Sequence, residues 1–378
     1  MKTLKKLFIV TAPIAVFSTA LISCQKDIRF SVNKPWFGEE KSDFFNKVVE
    51  EYNKENKSSN SVSVKFEPNN ADIIENIKKG SQNIGIVTST LFNDDKSNKD
   101  FMTPIIQTLT RAQKFDLNNF DAKYSNGGQE DSLVKIANEA YKSFAEKPYK
   151  DWEDDEYGWN GNIYEKFYGT KEQLSEYYRG LVMIQGTDDE IKEIRAAWDS
   201  KDWNKFRNFG IGHGKRNSGS KWFLQEALFK KHFNLENNKF VSFAQDLINN
   251  QDKYIEMRSR DIARGANTKY HIVFDELGSF AYTYNSDKKT NKVHDYYTPE
   301  KSDVKIEFLT VTEALKYNIF VVDNKTFSID QQKIMANAIL NVWKQGKDNY
   351  GPTVGFNGYK IIVDFQKEVI EPFENLFK

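Results

Sequence analysis

The segment Phe209-Gly-Ile-Gly-His-Gly-Lys-Arg-Asn-Ser-Gly-Ser-Lys221 gathers the residue types best suited to holding a ligand in this chain. Its glycines allow a tight turn, which delivers Asn217, Ser218, Gly219 and Ser220 to the start of a helix predicted over 218–233. The first N–H groups of a helix have no partner within it and lie at the positive end of the helix dipole. Two hydroxyls and the cations Lys215, Arg216 and Lys221 add donors and charge, a suitable cradle for a phosphate or diphosphate. The plainer use of Ser218 is to cap its own helix. His213, beside the turn, is a ligand contact or the holder of a structural hydrogen bond. Two catalytic readings fail. A nucleotide-binding P-loop needs Ser or Thr after Gly214-Lys215, where Arg216 stands. Ser218-Gly-Ser-Lys221 matches S-x-x-K, but the partner motifs S-D-N and K-T-G are absent, as is any G-x-S-x-G elbow.

A second group of candidates is aromatic or amidic. Trp36 follows the first predicted strand, and Thr88 and Ser89 follow the third; in open α/β sheets ligands sit beyond such carboxyl ends. Thr108, Trp159, Asn160, Asn162 and Tyr178 complete a possible ring-binding end, with rings able to sandwich a flat ligand; packing is the plainer role of each Trp alone. Metal chemistry finds little support. An EF-hand loop from Asp151 would need Gly at its sixth position and Glu at its twelfth, where Glu156 and Asn162 stand. The four histidines lack metal-ligand spacing, and a single cysteine allows neither a disulfide nor a Cys-based zinc site. No metal and no enzyme cofactor are expected.

The elements that must position these residues fit within 378 residues, enough for two domains. Apolar residues make up 39% and charged residues 29%, the balance of a globular chain. Lys+Arg equals Asp+Glu at 54 each, so no net charge favours nucleic acid as a partner. The 29 Phe, 18 Tyr and 7 Trp either fill an aromatic core or line a site. At the N-terminus a charged Met1–Lys6 precedes an apolar Leu7–Ile22, interrupted by Pro13 and too short to span a bilayer comfortably. It ends Leu21-Ile22-Ser23-Cys24, which matches a bacterial lipobox. Residues 1–23 are therefore expected to be a lipoprotein signal peptide, 24–27 a tether, and Cys24 the lipid carrier on the outer face of the cell membrane.

Hydrophobic periodicity predicts strands at 28–32, 61–66 and 83–88, with helices at 39–57 and 71–79 between them. That β-α-β-α-β order implies a parallel sheet with crossover helices. Further strands are expected at 103–111, 177–184, 206–211, 270–274, 305–310 and 317–322, and further helices at 131–147, 187–200, 218–233, 328–344 and 359–377. Thr187 with Glu190 forms a capping box. The acidic stretch 151–168 reads as a solvated loop.

Trp159-Asn-Gly-Asn-Ile-Tyr164, Tyr178-Arg-Gly180, Trp203-Asn-Lys-Phe-Arg-Asn-Phe-Gly210, His213-Gly-Lys215, Gly278-Ser-Phe-Ala281, Tyr350-Gly-Pro352 and Gly355-Phe-Asn-Gly-Tyr-Lys360 carry a resemblance. The chain resembles the mycoplasma high-affinity transport lipoproteins, extracytoplasmic thiamine-binding receptors related to phosphonate-binding receptors. The similarity runs from the lipobox to the C-terminus and is densest from about Leu133 onward. It implies an α/β, two-lobed periplasmic-binding fold of mixed, mostly parallel sheets flanked by helices. One lobe would take residues 28–110 and 311–378, the other 111–310. It also implies thiamine or thiamine pyrophosphate as the transported ligand, and an ABC permease with its ATPase subunit as partners of a monomeric receptor. In phosphonate-type receptors a Ser-x-Ser turn at a helix start holds the phosphorus group, and Ser218-Gly-Ser220 matches it. A phosphonate or other organophosphate is the alternative ligand. A surface phosphohydrolase and a ligand-free adhesin are the rival functions.

Overall fold

The computed structural model describes residues 27–36, 38–236 and 239–378, so the signal segment and Cys24 lie outside the described residues. Ser42 precedes the first helix, α1 (Asp43–Asn56), which follows strand β1 (Ile28–Asn33). Phe44, Phe45, Val48, Val49 and Tyr52 recur at helical spacing and form its buried stripe. Then come β2 (Val62–Glu67), α2 (Asn70–Lys78), β3 (Ile84–Val87), α3 (Ser89–Asp94) and β4 (Met102–Arg111). β1 pairs in parallel with both β2 and β3, as the β-α-β-α-β pattern requires.

After β4 the chain leaves this sheet. It builds α4 (Ser132–Phe144), β5 (Gly180–Gly186), α5 (Asp188–Asp199), α6 (Trp203–Asn208) and β6 (Ile211–His213). There follow a π-helical turn (Gly219–Phe223), α7 (Leu224–His232), β7 (Tyr254–Glu256), β8 (Ile272–Glu276) and β9 (Lys305–Val311). Among the described residues these strands form a second sheet in the order β9-β5-β8-β6-β7. The chain then returns to the first sheet with β10 (Ile319–Asp323), α8 (Ile329–Lys344) and β11 (Gly358–Ile361). The first sheet runs β11-β4-β10-β3-β1-β2, and β10 is antiparallel to both its neighbours.

Both faces of the first sheet are covered, which is why its central strands are apolar throughout rather than alternating. Phe320 and Val322 face α1 and α8, while Ile319 and Val321 join Ile73, Ile77, Val369 and Ile370 on the other side. Each such side chain contributes about 1.5–3 kcal/mol by leaving water. The second lobe has one large core in which rings predominate. Phe144, Tyr149, Trp152, Tyr157, Tyr164, Phe167 and Phe280 are all buried together. Most of the aromatic surplus thus packs a core.

Three sequence expectations are corrected. The stretch 206–211 is the end of helix α6 and the start of β6, because Asp202 accepts the Lys205 N–H as an N-cap and Trp203 and Phe206 bury one helical face. The stretch 359–377 opens as a strand: Gly358–Ile361 pairs with Ile106–Leu109, with Tyr359 buried and Lys360 exposed in alternation. Only Glu371–Asn375 is α-helical there, after a π-helical turn. The acidic stretch 151–168 is only partly solvated: Trp152, Tyr157, Tyr164 and Phe167 point into the core, while Asp151, Asp155, Glu156 and Asn160–Asn162 are exposed. The Thr187–Glu190 capping box forms as expected.

The joint between the two sheets is built on Arg179, which is 1% exposed. Its Nε donates to Asp116 Oδ2 at 2.9 Å, its Nη1 to the Thr312 carbonyl at 3.0 Å, and its Nη2 to the Asn119 carbonyl. Asp116 and Asn119 follow β4; Thr312 precedes β10. One guanidinium therefore binds both chain crossings. Beside it, Tyr177–Tyr178 pairs antiparallel with Leu315–Lys316, and Glu176 ties Lys316 to Lys360. Burial raises the pKa of Asp116, and Arg179 opposes that rise. Replacing Arg179 by Met strands the carboxylate, and urea unfolding at pH 7 should show a loss of about 3–5 kcal/mol. A raised folded-state pKa means that the folded chain binds the extra proton, so the deficit should shrink as pH falls toward 5. A loss that is the same at both pH values would locate the effect elsewhere.

A cleft where the two lobes meet

Gly180 sets the distance between β5 and the turn that starts α7. A Cβ there would lie 2.4 Å from Gln225 Nε2 and 2.5 Å from the Ser220 carbonyl oxygen, so only glycine permits this approach. Gln225 Nε2 donates to the Ser220 carbonyl at 3.0 Å and clamps the turn. Gly219 is then presented to the opposite side. A Cβ on it would come 2.0 Å from Tyr178 Oη and 2.9 Å from Thr90 Oγ1. Tyr178 Oη and Thr90 Oγ1 are themselves 3.1 Å apart. Thr90 belongs to α3 in the first lobe, Gly219 to the second, and Tyr178 to the joint. Three separate parts of the fold meet at one point.

The side chains of the turn already have partners. Ser218 Oγ accepts the Lys221 N–H at 3.2 Å, the capping role. Ser220 Oγ donates to Glu276 Oε2 at 3.1 Å. Lys221 Nζ pairs with Asp275 at 2.9 Å and donates to Ser259 Oγ at 2.9 Å. Burial works against the Lys221 charge, but Asp275 outweighs it and raises the pKa. Lys215, Arg216 and Asn217 are exposed beside the turn. The N–H groups of Gly219 and Ser220, at the helix start, are the donors with no partner inside the helix.

His213 is buried, with Nδ1 2.7 Å from the Gly214 carbonyl and its ring edge-on to Trp222. Burial lowers its pKa, which favours the neutral ring. Thr88 caps α3 by accepting the Leu91 N–H, buried Ser89 donates to the Lys316 carbonyl, and Thr108 donates to the Asn318 carbonyl at 2.9 Å. All three brace the floor of the first lobe at the joint. Trp36 is 72% exposed, with Gly355 under its ring and its backbone N–H donating to the Thr353 carbonyl. Trp159 stacks on Tyr284 at 4.4 Å within the second lobe. Asn160 closes its own turn by accepting the Asn162 and Ile163 N–H groups. The structure therefore brings Ser218, Gly219, Ser220, Lys221 and Tyr178 together and keeps Trp159, Asn160 and Asn162 among the second lobe's own contacts.

Other wall residues escaped the sequence reading. Tyr317 lies beside Tyr178 with ring centroids 5.2 Å apart. Tyr282 Oη donates to Glu276 Oε1 at 3.1 Å, although the ring is 40% exposed. Protein groups crowd that hydroxyl enough to raise its pKa well above the usual value, by burial first and by Glu276 next. Its ring thus stands partly in solvent while its hydroxyl is held by Glu276. Glu276 also feels this environment, as burial raises its pKa against the pull of Lys221. Thr90, Glu276, Tyr282 and Tyr317 have no local motif, and no periodicity distinguishes them from packing residues.

Among the described residues no helix is long and apolar enough to cross a membrane. The family model for extracytoplasmic thiamine-binding lipoproteins (CypI) matches residues 37–377. High affinity transport system protein p37 of Mesomycoplasma hyorhinis is 34% identical over 377 residues, 93% of this chain and 89% of that protein. Its counterpart in Mycoplasma pneumoniae is 36% identical over 310 residues, 79% of this chain and 77% of that one. The solved structure of Mycoplasma hyorhinis Mh-p37, proposed as a thiamine pyrophosphate transporter, is similar with a TM-score of 0.79 and 32% identity, covering 94% of this chain and 99% of that one. These are binding and transport lipoproteins rather than enzymes, and their fold is the mixed α/β periplasmic-binding fold described above. With the family model matching residues 37–377, all of the second sheet and all but the first strand of the first, the chain belongs to the extracytoplasmic thiamine-binding lipoprotein family.

Proposed function

We propose that this chain is the ligand-binding receptor of an ABC importer, taking thiamine or thiamine diphosphate in the cleft and delivering it to a permease driven by an ATPase subunit. The reading rests above all on the meeting of Gly219, Thr90 and Tyr178. A ligand lodged at the turn would touch both lobes and the joint, so its binding would favour their approach. Thiamine diphosphate offers a flat aminopyrimidine, a cationic thiazolium and an anionic tail. Tyrosine faces suit the cation, at about 0.5–2 kcal/mol per contact depending on desolvation. The Gly219 and Ser220 N–H groups, with Lys215 and Arg216 nearby, suit the tail. Trp36 offers a further face from the rim of the first lobe. Lipid on Cys24 would hold the receptor on the outer face of the membrane, as a monomer beside its permease.

Titration calorimetry tests the turn. Gly219→Asp places bulk and negative charge against the cradle, and should weaken thiamine diphosphate by two orders of magnitude, about 2.7 kcal/mol. Gly219→Ala adds only the Cβ that would meet Tyr178, so it should weaken thiamine and its diphosphate by similar factors. Wild-type affinity in both variants would remove the turn from the site.

The anchor is tested separately. Cys24→Ser should release the protein from the membrane fraction or leave an unprocessed precursor. Processing and membrane retention equal to wild type would show that Cys24 does not carry the lipid.

A further inference from the structure

The carboxylate of Glu276 stands at the end of β8, where the cleft wall is otherwise tyrosine and backbone. Its neighbour Asp275 is matched by Lys221 at 2.9 Å and by the hydroxyls of Ser279 and Tyr297. Glu276 has no cation at ion-pair distance among the described residues; its two oxygens receive only the hydroxyls of Tyr282 and Ser220, both at 3.1 Å. Those two bonds hold the carboxylate, while Lys221, whose charge favours it from further off, is committed to Asp275. Burial is the main cause of the raised hydroxyl pKa of Tyr168, Tyr178 and Tyr317, and the Glu276 charge adds to it in each. A partly buried carboxylate costs free energy unless a positive group approaches it. Aromatic rings around it add their own attraction for a cation.

We propose that Glu276 is the specificity residue of the cleft, its hydroxyl-braced carboxylate facing the cationic thiazolium ring of the ligand, so that ligand cationic charge is selected independently of any phosphate. This rests on the cleft being the ligand site. It also orients the ligand: an anionic tail is repelled from Glu276 and directed along the turn toward Gly219 and the exposed Lys215 and Arg216.

The test compares thiamine with thiamine thiazolone, a neutral analogue of nearly the same shape, by titration calorimetry on the full receptor. Wild type should prefer thiamine at least tenfold. Glu276→Gln keeps the shape and both hydroxyl partners but removes the charge. It should weaken thiamine by thirtyfold or more and the thiazolone by less than threefold, so that the preference collapses. Tyr282→Phe leaves the charge and removes one brace; it should cost thiamine several-fold with the thiazolone again little changed, and it keeps the test decisive if Glu276→Gln melts early. Equal losses of the two ligands in both variants, or a wild-type preference retained in Glu276→Gln, would overturn the assignment. Failure of wild type to bind either ligand would instead strike at the receptor reading itself.

Discussion

A single buried guanidinium holds the architecture at the place where it would otherwise be weakest. The two sheets are joined by chain crossings with few backbone pairs of their own, and Arg179 satisfies carbonyls and a carboxylate from both. Such a group is costly to bury and is retained only with its partners in place. Its placement has a second effect. The residues on either side of it, Tyr178 and Gly180, are fixed with it. Tyr178 then reaches Thr90 of the first lobe, and Gly180 admits the Ser220 carbonyl and Gln225 of the second. The site is thus assembled from the joint outward. Groups of both lobes are thereby referenced to one buried point, an arrangement that suits a hinged receptor.

The polar groups of the cleft are arranged so that most charges cancel locally. Lys221 and Asp275 neutralise each other, and Asp275 also receives Ser279 and Tyr297. The side chains that looked most available in the sequence are therefore occupied by structural work. At the turn the backbone N–H groups of the helix start have no helical partner, and on the wall Glu276 has no cation at ion-pair distance among the described residues. The two are neighbours through Ser220, whose hydroxyl serves the carboxylate while its N–H belongs to the turn. An anion-seeking and a cation-seeking surface placed one residue apart match a ligand that carries both charges.

Much of this was legible along the chain and some was not, for physical reasons. The first lobe's β-α-β-α-β order showed in alternating apolar runs, and the α5 start showed in its capping box, because both are local signals. The Ser218–Lys221 turn was visible because glycine and hydroxyl residues cluster there in sequence. The tail at 359–377 misled because Tyr359, Ile362 and Val369 fit a helical spacing, whereas pairing with β4 was decided by residues some 250 positions earlier. Glu276 and Tyr282 were invisible for a similar reason. Their meaning depends on Ser220, brought beside them only when β5 and β8 pair and Gly180 lets the turn close in.

The strand order of the first sheet also bears on how the chain acquires its shape during synthesis and export. β10 lies between β3 and β4, yet it is made more than 200 residues after them. A polypeptide emerging N-terminus first holds β3 and β4 with their facing edges bare until residue 323 has appeared, while the strands of the second sheet lie on one continuous stretch and can pair earlier. Long-range pairing of this kind is slow, and bare apolar strand edges invite association with other chains. The contacts that form late include Leu376, which packs with Leu224, Ala227 and Leu315 behind Tyr178. The backing of Tyr178 is therefore finished only after the strands of both sheets have been made, and removal of Leu376 would leave it incomplete.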